Sequence, residues 1–112
     1  MQLKDYGIEV LDIEAAYHKS KNKTYKVKDK EISEPEFHIL SFLFEHKNKF
    51  VTREYVIEIR KQYYRNHNKI RNVAPEISRI IHILNKAFKT TEIPFEILSA
   101  NGKVGLFTNE GN

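Results

Sequence analysis

The chain has no cysteine among its 112 residues. That removes disulfides, thiolate metal sites and thiol nucleophiles, and it suits a reducing compartment. Glycine is scarce, at four residues, and none sits in a phosphate-cradling loop. Long apolar runs are missing too. The longest, Ile39 to Phe44, is broken by Ser41 and is far too short to cross a bilayer. The opening residues MQLKDYGIEV lack the basic start and apolar core of a leader, so secretion is not expected. The sequon Asn22-Lys23-Thr24 then reads as chance. The histidines, at positions 18, 38, 46, 67 and 82, show no zinc-type spacing, and His38 reads as a surface or boundary residue. Glu54 and Glu58, four apart, form a wet helix face rather than an acid/base pair. No Ser/His/Asp ordering stands out. The expectation is a protein without catalytic residues, metal or cofactor.

What is present is a soluble composition for one domain, 40% apolar and 30% charged. The net charge of +4 is unevenly spread. Residues 1–30 sum to +2, 31–59 to −3, 60–89 to +7 and 90–112 to −2. Segment 60–89 holds eight Lys or Arg against the single acid Glu76. Segregation of that kind suits a polyanion-binding surface, because neutralised phosphates release counterions. A solvated loop with a lysine-rich helix end would look the same by charge alone.

Along the first thirty residues apolar positions alternate. Tyr6, Ile8 and Val10 share one face, Ile13, Ala15 and Tyr17 carry the pattern on, and Tyr25 and Val27 resume it after a polar turn at Lys21-Asn22-Lys23. Period two with Lys- and Asn-rich breaks predicts short antiparallel strands with one wet face. At "ISEPEFHILSFLFEH" the period becomes helical. Ser33 and Glu36 make a capping box, Pro35 sits in the first turn, and Phe37, Leu40 and Phe44 lead a broad apolar face. After "KNKF", a second helix starts at the N-cap Thr52, with Val56, Ile59 and Tyr63 on one face. "RNHNKIRN", Arg65 to Asn72, reads as a basic loop ending in a cap for the third helix. That helix, "PEISRIIHILNKAFK", runs to about Lys89. Phe95 and Ile97, the pair Asn101-Gly102, and then Val104 and Leu106 predict a closing hairpin.

The third helix has more branched aliphatics than one buried stripe uses. At about 100° per residue, Ile77, Ile81, Leu84 and Phe88 form the core stripe, with Ile80 and Ala87 at its edge. Glu76, Arg79, Ile83 and Lys86 make a second stripe, with Pro75 and His82 beside it. A helix mounted on two others, showing a cationic stripe and followed by a hairpin, has the layout of a winged helix-turn-helix.

At these residues the chain resembles the DNA-binding effector domain of the OmpR/PhoB type, found in bacterial response regulators and in ToxR-like membrane-anchored regulators. "ISEPEFHILSFL" (Ile32 to Leu43) is similar to the family's Leu-Thr-x-x-Glu-x-x-Leu-Leu-x-x-Leu helix start. Val51-Thr52-Arg53-Glu54-Tyr55-Val56 resembles the start of its second helix, and "IHILNKAF" (Ile81 to Phe88) the end of its recognition helix. Gly105-Leu106-Phe107-Thr108 looks like its wing ending. The departures are Asn85 for an arginine, Ile83 at a position often basic, Leu106 for the wing tyrosine, and no tryptophan near the end of helix two, where Tyr63 or Tyr64 is the candidate replacement. The loop between helices two and three looks longer and more basic than the family's.

The resemblance implies an α+β winged helix-turn-helix, with an N-terminal antiparallel sheet over 1–32, three helices over 33–89 and a wing hairpin over 90–109. It implies a cytoplasmic transcription regulator that binds promoter DNA through its third helix and wing. The ToxR-like arrangement would tie it to the inner membrane only through a segment outside this chain. No receiver domain is read in these 112 residues, so control by phosphorylation is expected to come from elsewhere. The DNA-facing candidates are Pro75, Glu76, Arg79, His82, Ile83, Lys86, Lys89 and Lys103. Arg65, Lys69 and Arg71 are candidates for phosphate or for RNA polymerase. A second copy or a co-regulator on tandem sites is a further expected partner. Ile83 has two readings: contact with thymine methyls in the groove, or packing under the long loop or against a partner subunit. A rival function stays open: a protein-interaction module whose groove face has turned apolar, suggested by Asn85, Ile83 and Leu106.

Overall fold

In a computed structural model the chain is described over residues 2–14, 21–63 and 73–108. The described residues form an α+β arrangement of three helices and two small antiparallel sheets. A 3-10 helix, Leu3–Tyr6, precedes strands β1 (Ile8–Glu14), β2 (Lys21–Val27) and β3 (Lys30–Ile32). Then come α1 (Glu34–Glu45), β4 (Val51–Thr52), α2 (Arg53–Tyr63), α3 (Val73–Thr90), β5 (Phe95–Ala100) and β6 (Lys103–Thr108).

The first sheet has the order β1-β2-β3 and turns Ile8, Tyr25, Val27 and Ile32 into the core. Three expectations are corrected here. Tyr6 lies in the 3-10 helix rather than a strand, and Gly7 at φ 80° ends that helix with its amide bonded back to it. Val10 is exposed at 41%, although it shares a strand face with buried Ile8. Lys21, Asn22 and Lys23 are strand, paired with Glu14, Ile13 and Asp12 of β1. Ladder pairing overrides a polar composition when the partner strand is already in place. Ala15 and Tyr17 lie outside the described residues. The sheet is tied to the far end of the helical layer by Lys28, whose Nζ donates to the Thr91 carbonyl at 2.7 Å.

Two of the three predicted caps fall among the described residues, and both are present. Ser33 Oγ accepts from the Glu36 amide at 3.3 Å while the Ser33 amide donates to Glu36 Oε1 at 2.9 Å. Thr52 Oγ1 accepts from the Tyr55 amide at 3.2 Å. The segment expected as a plain break between α1 and α2 does more than that. Val51 and Thr52 pair with Val104 and Lys103, making a second sheet of order β4-β6-β5. The hairpin turns at Asn101 (φ 53°) and Gly102 (φ 73°), the positive-φ pair a two-residue turn requires.

The core gathers where these pieces meet. Tyr6, Phe44, Phe88 and Phe95 surround one another, with ring centroids 4.5 Å apart for Tyr6–Phe95 and 5.4 Å for Phe88–Phe95. From α3 the core takes Ile77, Ile80, Ile81, Leu84, Ala87 and Phe88, and from the hairpin Ile97, Val104 and Leu106.

Candidate nucleic-acid interface

The buried arc of α3 decides which of its residues are free. Its six core side chains cover one side from Ile80 and Ala87 round to Ile81. At about 100° per residue the opposite direction runs through Pro75, Arg79, His82, Lys86 and Lys89, and all five are exposed. The expected second stripe is therefore present but rotated. Ile83 and Glu76 lie on its flank and are half-buried, because the core arc is wider than four residues and takes in Ile80 and Ala87. Ile83 is thus not the centre of the free face.

Glu76 has a structural partner. Its Oε1 meets Arg60 Nη2 at 2.5 Å; Arg60 is 4% exposed and Glu76 26%. A guanidinium that far from water requires a counter-charge, and Glu76 supplies one from the flank of the stripe. Its carboxylate therefore already has a partner on α2. Arg60 was not legible as buried, since the pairing joins residues on two separate helices.

Arg53, inside the quoted α2 start, was also missed. Its amide donates to the Gly102 carbonyl at 2.9 Å and its Nη2 to Ser78 Oγ at 2.5 Å. Lys103, exposed at the hairpin tip, pairs across strands with Thr52. The hairpin tip, the α2 start and the first half of α3 are therefore joined by direct contacts, through Gly102, Arg53 and Ser78, the chain neighbour of Arg79. Arg65, Lys69, Arg71 and the Asn72 cap lie outside the described residues, as does the side chain of Tyr63.

Asn85 holds the hairpin against α3. Its Nδ2 donates to the Ile97 carbonyl at 2.9 Å and its Oδ1 accepts from the Ile97 amide at 2.8 Å. An asparagine in a run of strong helix formers was the available signal. Asn85→Leu leaves both Ile97 groups without these bonds, and a loss of about 2 kcal/mol is expected, read as a shifted urea midpoint. Leu106 is fully buried. Two of the three departures behind the protein-interaction reading, Asn85 and Leu106, thus have structural work, and Ile83 remains.

No protein-family model and no curated protein matches the chain. Among the described residues no group of three or more His, Asp or Glu could hold a metal ion, and no helix is long and apolar enough to cross a membrane. His38 is half-buried, four residues from Glu34 on α1 and 3.7 Å from its carboxylate.

Proposed function

We propose that the chain is a winged helix-turn-helix module of the OmpR/PhoB type that binds duplex DNA and regulates transcription. The observation that carries this reading is the exposed stripe Pro75, Arg79, His82, Lys86 and Lys89 on the helix that also anchors the hairpin. A cationic helix face about three turns long suits the major groove, and a hairpin tip bearing Lys103 suits the adjacent backbone. In this reading Arg79 reads a base edge or a phosphate, and Lys86, Lys89 and Arg53 contact phosphates, which position without specifying. The fold class supports it as far as three helices followed by a hairpin.

The test selects duplexes from a random library and measures affinity against salt. Affinity should fall linearly with log salt concentration. Lys86→Ala should weaken all sequences alike and lower the salt slope by about one. Arg79→Ala should weaken binding by about 1–3 kcal/mol and relax one base position if it reads a base. Absent or salt-independent binding would overturn the reading.

A further inference from the structure

The hairpin tip carries a reactive pair. Among the asparagines of these 112 residues only Asn101 is followed by glycine. The successor matters because a side chain there crowds the backbone nitrogen, and glycine has none. At Gly102 even an added Cβ would find nothing within 4 Å, so the space around that nitrogen is open. Every residue from Ser99 to Lys103 is exposed. The carboxamides of Asn48 and Asn85 are held, by Thr108 and by Ile97. Among the described residues none bonds the Asn101 carboxamide or accepts from the Gly102 amide.

We infer that Asn101 is a covalent modification site, converted by the Gly102 nitrogen and water to aspartate or isoaspartate. The Gly102 nitrogen gives up its proton and bonds to Asn101 Cγ. The Cγ–Nδ2 bond breaks, and ammonia leaves with that proton. A five-membered imide remains, which water opens at either carbonyl carbon. Opening at Cγ gives aspartate; opening at the main-chain carbonyl gives isoaspartate, whose backbone runs through Cγ. One water is consumed and one ammonia released, with nothing oxidised or reduced. The attack needs rotation about the Asn101 Cα–C bond, so it draws on local opening of the tip rather than on global unfolding. Both products place a carboxylate, ionised at neutral pH, two residues from Lys103. Isoaspartate also adds one atom to a main chain that must close Ala100 on Lys103 through a two-residue turn. The Gly102 carbonyl that accepts from the Arg53 amide is then displaced. The conversion itself stands apart from DNA binding; only its effect on affinity rests on that reading.

The test ages the full chain at mildly alkaline pH, one sample folded and one unfolded in guanidinium chloride. Ion exchange, peptide-map mass spectrometry and labelling by an isoaspartyl carboxyl methyltransferase follow the products. In the folded chain Asn101 should convert first, with first-order kinetics, a gain of one mass unit and a rate rising with pH. Asn48 and Asn85 should stay intact. Asn101→Gln should abolish the acidic form. Asn101→Asp supplies the charge without the extra backbone atom, and in the DNA-binding reading it should lower the salt slope by about one. The isoaspartyl form should lose thermal midpoint as well. An Asn101 that stays intact in the folded chain while the unfolded chain converts would overturn the inference, as would another asparagine converting first. A chain that converts yet binds no DNA before or after supports the site and fails the groove-binding reading alone.

Discussion

Gly105→Ala is expected to lower stability by about 3 kcal/mol, seen as a drop of roughly 10–20 °C in thermal midpoint. A Cβ at this position would stand 2.5 Å from the Lys49 carbonyl oxygen and 2.9 Å from the Phe107 ring. The ring could swing away, but the carbonyl belongs to a backbone that is held on both sides. Asn48 donates its amide to Leu106 at 2.7 Å, and Val51 pairs with Val104. Making room for one methyl therefore means lifting β4 off β6. Gly102→Ala is the control. Nothing lies within 4 Å of its Cβ, so only the strain of φ 73° remains, worth about 1 kcal/mol. Equal losses at the two glycines would show that crowding by Lys49 is not the cause.

The second large effect is expected at Glu76. Glu76→Gln takes the Glu76 carboxylate charge away from the Arg60 guanidinium, which is 4% exposed. Removing one partner of a buried ion pair costs about 3–5 kcal/mol, and because Glu76 keeps some contact with water, a loss of about 2–3 kcal/mol is expected here. The double variant Arg60→Met/Glu76→Leu should recover most of it, since a well-packed apolar pair replaces a buried ionic one at little cost. Urea denaturation of both variants checks this. The result also bears on function: DNA affinity corrected for the folded fraction should hardly change in Glu76→Gln. A large residual loss of affinity would return Glu76 to the groove face.

Local signals were the legible ones. Ser33 and Glu36, Thr52, Asn101-Gly102 and the stripe Ile77, Ile81, Leu84 and Phe88 act within a few residues of themselves, so sequence spacing exposes them. What stayed hidden depends on distant partners. The two-residue β4 is too short to show a period and exists only through β6, about fifty residues later. Lys21 to Lys23 read as a turn until β1 supplied a partner strand. At the candidate site the cations Arg79, Lys86 and Lys89 and the exposure of Pro75 and His82 were legible. The centring of the stripe was not, because it depends on Ile80 and Ala87 joining the core. Arg53 and Asn85 take their roles from Ser78, Gly102 and Ile97, which only the fold brings near.

Asn85 has a consequence for solubility. β5 is the outermost strand of its sheet, and an unguarded strand edge is a template on which other chains zip up into aggregates. Both ladder groups of Ile97 are already taken by the Asn85 carboxamide, which acts as a dummy strand one residue long. An incoming chain would have to dislodge a side chain rooted in α3 before extending the sheet past Ile97.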